Sequence, residues 1–267
     1  MKNITKFMFI FIALLLIGLP LQAQDNIHLF QSYFFDAPIT KTMYGEGGLE
    51  WAKYGSGGAD VTNLFINAKG GYPINEKIEV GAQVGFINFS TSYSGHSNSE
   101  SGLSDLGIYG RYNITQNEQM NFSAGGMITL PIGSDKVGQS NLNFGFYGAT
   151  RYKLDNGITL TGNIGLIFYE YQTTKTKQTG PNPWDVEVVT DSEHDNYLNL
   201  GFGGIYPVNE KLNAVGEFVL KSGMDYMMLS AGADYLVGSG RVRGALGLGL
   251  DDGAPDFQIM ISYGMFF

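Results

Sequence analysis

Apolar and polar residues alternate along most of this chain, and the last twelve residues show the alternation most clearly. In DFQIMISYGMFF, from Asp256 to Phe267, the residues of one face are all apolar or aromatic. A period of two predicts a β-strand, because successive side chains of a strand point to opposite faces. An apolar face with aromatic residues near both ends is typical of a strand that meets lipid in a closed barrel. That face carries Phe257, Ile259, Ile261, Tyr263, Met265 and Phe267, and the other carries Gln258, Met260, Ser262 and Gly264.

The same alternation recurs between turn-forming clusters and predicts twelve strands. Tight turns such as Asn75-Glu76 and Gly238-Ser239 occupy every second connection, and longer links, among them 91–101, 133–139 and 172–194, lie mostly between them. Transmembrane barrels place short turns and both termini on the periplasmic side and longer loops outside. The predicted strands are 44–54, 61–73, 77–91, 102–114, 119–131, 140–153, 157–171, 195–206, 211–221, 225–237, 240–250 and 256–267.

The sequence therefore predicts an all-β fold: an antiparallel, up-and-down transmembrane β-barrel of about 12 strands over residues 44–267. A soluble β-sandwich is the alternative, since its strands also alternate. Sandwich strands are shorter and keep one face in water. Here the face opposite the apolar one consists of Gly, Asn, Ser and Thr with few charges, which favours the barrel.

The N-terminus predicts export from the cytoplasm. Lys2 and Lys6 precede the apolar run 9–20, and the pattern indicates a secretory signal peptide at residues 1–23, cleaved after Ala23. The run is short beside the roughly 20 residues of a membrane-spanning helix, so an uncleaved anchor is the less favoured interpretation. Residues 24–43 follow as an aromatic segment. Counted as a strand, this segment would spoil the even number, so we expect it to form a plug in the lumen or to lie at the periplasmic rim.

Composition and charge narrow the function classes. Loss of Lys2 and Lys6 with the signal leaves 14 basic and 25 acidic residues, a net charge of −11. Nucleic acid is therefore not an expected partner, because phosphate contacts need a basic surface. The chain has no cysteine, which excludes disulfides and a lipidated N-terminal cysteine. The abundance of Gly, Tyr and Phe agrees with β structure.

The alternation also divides each predicted strand into a lipid face and a lumen face. In strand 240–250, Leu246 and Leu248 oppose Arg241 and Arg243. A basic residue facing lipid at mid-depth costs about 2–4 kcal/mol, so the arginines are expected to point inward. In strand 140–153, Leu142, Phe144 and Phe146 are assigned to lipid, and Asn141, Asn143, Gly145, Tyr147 and Arg151 to the lumen.

The charged residues expected in the lumen are of both signs. They either pair across a narrow, hydrated interior or form a constriction that selects solutes by charge and size. Asp105 and Arg111 share the lumen face, but at about 3.3 Å per residue they lie roughly 20 Å apart. Each is therefore expected to pair with a neighbouring strand, for example with Arg151 or Glu79. The expected lumen residues are Lys69, Glu79, Asp105, Arg111, Arg151, Glu217, Lys221, Asp234, Arg241 and Arg243.

The sequence contains no convincing catalytic or metal-binding set. His28, His96 and His194 are scattered, and no cysteine could complete a zinc site. His194 with Ser192 and nearby acids could suggest a hydrolase or a loop metal cluster, but a solvated acidic loop is the favoured interpretation. We therefore expect no enzyme activity, metal or cofactor. The link 172–194, with Trp184 and His194, is the candidate for a gate or an external contact.

Two stretches resemble a known family. GLSDLGIYGRYNI, at 102–114, and TLPIGS, at 129–134, are similar to strand motifs of the outer-membrane barrels named for a putative MetA pathway of phenol degradation. The resemblance covers roughly residues 60–169. It implies a transporter of small, often aromatic or apolar compounds, without establishing phenol as the cargo.

We accordingly expect an outer-membrane channel or transporter for passive passage of small molecules in a Gram-negative bacterium. Its expected partners are outer-membrane lipid and lipopolysaccharide, the barrel-assembly machinery that reads a terminal Phe, and a small-molecule cargo. Two alternatives remain. One is an adhesin-like barrel that binds a partner through 172–194, and the other is a lipid-modifying enzyme that would depend on His194.

Overall fold

The computed structural model describes residues 27–56, 59–135, 137, 142–180, 182 and 184–267, so the predicted signal peptide lies outside the described residues. The described residues form one antiparallel sheet. Its strands are β1 Tyr44–Ser56, β2 Ala59–Asn75, β3 Ile78–Tyr93, β4 His96–Leu103, β5 Leu106–Gln116, β6 Met120–Leu130, β7 Asn143–Lys153, β8 Thr159–Gln178, β9 Val186–Pro207, β10 Leu212–Lys221, β11 Tyr226–Val237, β12 Gly240–Gly249 and β13 Phe257–Phe266.

The sheet closes on itself, because β1 pairs with β2 on one side and with the last strand, β13, on the other. β4 and β5 share one position around the barrel, since both pair with β3. The barrel therefore has twelve strand positions, which confirms the predicted fold. The predicted strand 102–114 is interrupted at Ser104 and Asp105, between β4 and β5.

No helix within the described ranges is long and apolar enough to cross a membrane.

The two ends of the barrel differ in their connections. One end, here called the turn end, carries Tyr44, Phe267 and the five short turns that the sequence predicts. In the turns that follow β2, β5 and β9, an asparagine side chain accepts two backbone N–H groups, as Asn75 does from Lys77 and Ile78. Such Asx turns reverse the chain within a few residues. The opposite end, here called the hairpin end, carries the other connections, among them those between β6 and β7 and between β8 and β9.

The strands alternate as predicted between a lipid face and a lumen face. Phe146 is 64% exposed on the outside of β7, whereas Tyr147 and Arg151 are buried on the inside. On β12, Leu246 and Leu248 are exposed, and Arg241 and Arg243 are buried. Asn141, also assigned to the lumen, lies outside the described residues.

The C-terminal strand follows the same rule with one departure. Ile261 is exposed on the lipid face, and Gln258 and Met260 are buried on the lumen face. Met265, assigned to the lipid face, is only 4% exposed. Its partners on both neighbouring strands, Gly45 and Gly240, have no side chains.

Two links predicted as loops are instead extensions of strands. β3 and β4 continue to a turn at Ser94-Gly95, and β8 and β9 stay paired as far as Gln178 and Val186. β8 and β9 have 20 and 22 residues, whereas roughly 9–11 residues cross a membrane. The prediction of loops was wrong because these stretches are rich in Ser, Thr and Asn, a composition that is typical of loops. Outside the membrane, strands of such residues can still pair through their backbones.

Candidate functional site

The described part of the N-terminal segment, residues 27–43, lies inside the barrel against the lumen-facing charges. Leu29 and Phe30 pack with Ile205 and Val215 of the wall, in a buried cluster that also includes Ala245 and Met260. Further along the segment, Tyr33 and Phe34 form a second buried cluster with Tyr44. The segment thus fills the turn-end half of the lumen with apolar and aromatic side chains.

Glu217, on β10, binds the backbone of this segment. Its carboxylate accepts hydrogen bonds from the N–H groups of Phe30, Gln31 and Ser32. Glu217 is buried, and three donors aimed at one carboxylate compensate for its desolvation. The negative charge predicted to face the lumen therefore fixes one turn of the N-terminal segment.

Arg243, on β12, joins two acidic residues of the wall to the same segment. Its guanidinium donates to Glu46 at 2.9 and 3.1 Å and to the carbonyl oxygens of His28 and Leu29. Its Nε lies 3.3 Å from Asp234 Oδ2, an ion-pair distance without hydrogen-bond geometry. Asp234 is also paired with Arg241, and Lys69 with Glu46.

Two further arginines hold the middle of the segment. Arg151, on β7, binds both carboxylate oxygens of Asp36, a bidentate geometry that only arginine provides. Arg111, on β5, pairs with Glu79 on β3 and donates to the Asp36 carbonyl at 3.1 Å. Glu79 in turn accepts from the backbone N–H of Thr40 at 2.8 Å.

The Ala37 carbonyl completes the attachment. Asn113 Nδ2 donates to it at 3.1 Å, and the Ser123 hydroxyl also donates to it. Ala37 itself packs with Tyr147 and Ala149 of β7. Wall strands β3, β5, β6, β7, β10 and β12 therefore all contact the segment through polar side chains.

The predicted lumen residues thus have two kinds of partner. Arg111 pairs with Glu79 on the neighbouring strand, one of the two partners that the sequence suggested. Arg151 instead pairs with Asp36 of the N-terminal segment. Lys221 lies over the Tyr226 ring at 4.1 Å, towards the hairpin end.

Sequence reasoning missed three of the acids that matter here. Glu46 and Glu50 lie on the lumen face of β1, and Glu50 accepts from Gln258. The period of two in strand 44–54 could have identified both. The same reasoning could not identify Asp36, because the residues before Tyr44 do not alternate in the way that predicts a strand.

Asp105 has a different environment from the other predicted lumen residues. It is half-buried at the interruption between β4 and β5, and its carboxylate accepts the Gly133 N–H at 2.9 Å. Leu103 and Ser134 exchange two more hydrogen bonds of 2.9 Å. The two sequence motifs of the family resemblance therefore meet here. A Cβ at Gly133 would lie 2.6 Å from Asp105 Oδ1 and 2.8 Å from the Leu103 carbonyl, so this contact requires glycine.

The two gating candidates lie on the β8–β9 hairpin, away from the ion-paired lumen. Trp184 is 89% exposed in the turn between the strands. His194 lies in β9, opposite Glu170, and not in a loop. Between them, Lys175 pairs with Glu193 at 2.6 Å. Hydrogen bonds from Lys175 and Tyr171 hold the pKa of Glu193 below its ordinary value, and Glu193 raises the pKa of Lys175.

The histidines of the described residues have different environments. No group of three or more His, Asp or Glu side chains within them could hold a metal ion. His28 is buried and stacked on Tyr33, at 4.5 Å between ring centroids, while His194 is exposed.

Comparison with known proteins identifies the family. The family model described as "Putative MetA-pathway of phenol degradation" matches residues 52–259. The chain belongs to this family. The match confirms the resemblance carried by the two motifs, and it extends over nearly the whole barrel.

Solved structures with the same architecture are outer-membrane barrels. The COG4313 outer membrane channel from Pseudomonas putida F1 is 15% identical and has a TM-score of 0.63, with 87% of this chain and 98% of that chain covered. The beta domain of the Bordetella autotransporter BrkA is 13% identical, with a TM-score of 0.55 and coverages of 85% and 99%. The translocator domain of the autotransporter NalP from Neisseria meningitidis is 11% identical, with a TM-score of 0.52 and coverages of 86% and 90%. At these identities the likeness concerns the fold alone. No curated protein matches the chain by sequence.

Proposed function

We propose that this barrel is an outer-membrane channel for passive passage of small molecules, and that the N-terminal segment is a plug that must move for passage. The observation that carries the proposal is the way the segment is held. Glu217, Arg243, Arg151 and Glu79 contact it through hydrogen bonds and ion pairs. A hydrogen bond to a charged group contributes about 1.5–3 kcal/mol, and water that enters the vacated lumen would solvate the same wall charges.

The plug distinguishes this barrel from small structural barrels, in which about eight strands enclose an interior just wide enough for side chains of the wall to fill. Here a separate stretch of chain occupies the turn-end half, and charged residues of the wall bind it. The segment is continuous with β1 at Tyr44, so it can leave the lumen at the turn end without unfolding the sheet. In outer-membrane barrels that end faces the periplasm.

The lumen beyond the segment suits apolar or aromatic cargo. Inward-facing rings line the hairpin-end half, and Tyr169 and Tyr197 lie in mutual contact there at 5.8 Å between ring centroids. Aromatic rings offer large apolar faces together with a polar edge. The other rings of this half are Tyr54, Phe65, Tyr109 and Tyr226.

An adhesin-like barrel is the second candidate, favoured by the exposed Trp184 at the end of a long hairpin. Deletion of residues 175–190 separates the two functions. Under the channel proposal, the shortened barrel stays permeable. Under the adhesin proposal, permeability is absent in both forms, and cell-surface binding is lost with the hairpin.

Liposome swelling tests the channel directly. The refolded full-length barrel is reconstituted into vesicles, and swelling is followed with neutral solutes of increasing size. We expect uptake of the smallest solutes and a sharp decline with size, because twelve strands enclose a narrower lumen than a 16-stranded porin. A barrel that is folded, as judged by its gel mobility, yet excludes every solute would refute the proposal.

A further inference from the structure

The lumen contains a cavity of about 290 Å³ on the hairpin-end side of the N-terminal segment. It lies between β2, β3, β5 and β6, beside the interruption at Ser104 and Asp105. Its size matches the lower end of small-molecule sites, which begin at about 300 Å³. None of the wall residues that hold the N-terminal segment through hydrogen bonds or ion pairs lines this space.

The cavity has an apolar side. Phe65 and Ile87, which are paired across β2 and β3, line it together with Val137. The ring of Phe65 lies over Gly85, where a Cβ would meet both the ring and the backbone of β2. The absence of a side chain at Gly85 thus lets the Phe65 ring lie flat along the wall.

Another part of the lining is polar. Gln83, Thr129 and Asp105 supply an amide, a hydroxyl and a carboxylate. They lie close together, because Gln83 pairs with Gly107 and Gly107 with Thr129 across neighbouring strands. A few polar groups in a mostly apolar pocket fix the orientation of a ligand. A carboxylate in this position favours neutral or donor groups over anions.

The cavity also adjoins the N-terminal segment. Tyr109 forms one wall, and the Phe34 ring is stacked on Tyr109 with 4.0 Å between centroids and 10° between planes. A molecule in the cavity would therefore be separated from the segment by one aromatic ring. Residues of both family motifs line the cavity. Asp105, Gly107 and Tyr109 belong to the motif at 102–114, and Thr129 belongs to the motif at 129–134.

We propose that this cavity binds a neutral, single-ring molecule that carries one hydrogen-bond donor, such as a hydroxyl. The ring lies against Phe65 and Ile87, and the donor reaches Gln83, Thr129 or Asp105. The inference rests on the proposed function, because it places a cargo-binding site directly before the plug.

A matched series of fluorinated probes tests this chemistry. 4-Fluorobenzyl alcohol, 4-fluorotoluene and 4-fluorobenzoate share one ring and differ in carrying a donor, a methyl group or a negative charge. Binding to the full-length barrel in lipid nanodiscs is followed by fluorine NMR, with empty nanodiscs to subtract partitioning into lipid. We expect saturable binding that is tightest for the alcohol, weaker for fluorotoluene and weakest for fluorobenzoate.

Two variants and one control place the site. Phe65→Ala is expected to weaken alcohol binding about tenfold through lost aromatic contact. Gln83→Leu is expected to reduce the preference for the alcohol over fluorotoluene. Phe86→Ala removes a ring of the same size from the lipid face of β3, where Phe86 is exposed, and is expected to leave binding unchanged.

Two results would overturn the inference: no saturable binding of any probe, or equal loss of binding with Phe65→Ala and Phe86→Ala. Swelling measurements distinguish this failure from that of the proposed function. A permeable barrel that binds no probe refutes the cavity alone. A barrel that binds the alcohol yet excludes all solutes refutes the proposed channel function and supports the binding site.

Discussion

Deletion of residues 29–40 is expected to raise the ion conductance of the reconstituted barrel roughly tenfold, since lumen width governs conduction. These residues fill the turn-end half of the lumen, and Leu29, Tyr33 and Ala37 are almost completely buried there. Their removal leaves a water-filled passage lined by Glu217, Arg151 and their neighbours. Single-channel recording in planar bilayers measures the change.

The deletion is also expected to leave a folded barrel. Arg111 keeps Glu79, and Arg243 keeps Glu46 and Asp234, so most of the wall charges retain a partner. Glu217 and Arg151 lose their partners from the segment but gain water. The matched control replaces residues 29–40 with a Gly-Ser stretch of equal length, which keeps the chain length and its backbone groups but removes the Asp36 carboxylate and every apolar side chain of the stretch. Its conductance should also exceed that of the native chain. Unchanged conductance in a folded deletion variant would show that the segment does not obstruct the lumen.

Arg243→Met is expected to lower the free energy of unfolding by about 3–5 kcal/mol, the usual cost of leaving buried charges without their partner. Arg243 is only 2% exposed, and it faces Glu46, Asp234 and two backbone carbonyls. Methionine has a similar length but no donor. The unfolding midpoint in urea, followed by gel mobility of the barrel in lipid vesicles, measures the loss.

Two comparisons isolate the effect. Lys211→Met changes an exposed cation in a turn and is expected to shift the free energy of unfolding by less than about 0.5 kcal/mol. Arg241→Met, on the same strand, removes the ion pair to Asp234, but Arg243 remains beside that acid. The loss in free energy of unfolding should therefore lie between the losses for Lys211→Met and Arg243→Met. Equal stability of Arg243→Met and Lys211→Met would contradict the part assigned to Arg243.

The period of two made most of the barrel predictable. Lipid requires apolar residues outside, and a charge facing lipid is costly, so Arg241 and Arg243 could be assigned to the lumen from their spacing alone. The same rule does not apply beyond the membrane. There, polar residues such as those of β8 after Tyr171 pair in a ladder with both faces in water, and alternation carries no signal.

The partners of the lumen charges could be predicted only in part. Glu79 and Arg111 lie on strands that the sequence makes neighbours, and they pair. Asp36 could not be matched with Arg151, because its segment has no periodicity and its path through the lumen depends on the closed barrel. The contact between Asp105 and Gly133 could not be predicted either, because the alternation of apolar and polar residues does not show that the strand is interrupted after Leu103.

A reversible tether between plug and wall tests the central claim most directly. The chain has no cysteine of its own, so Ala37→Cys and Ala149→Cys introduce one pair, at two small residues of the same buried cluster. The single variants serve as controls, and gel mobility before and after reduction verifies the disulfide. We predict that the oxidised double variant conducts far less than the native barrel and that reduction restores conductance. Equal conductance of the oxidised and reduced forms would contradict the account, because solutes would then pass without movement of the N-terminal segment.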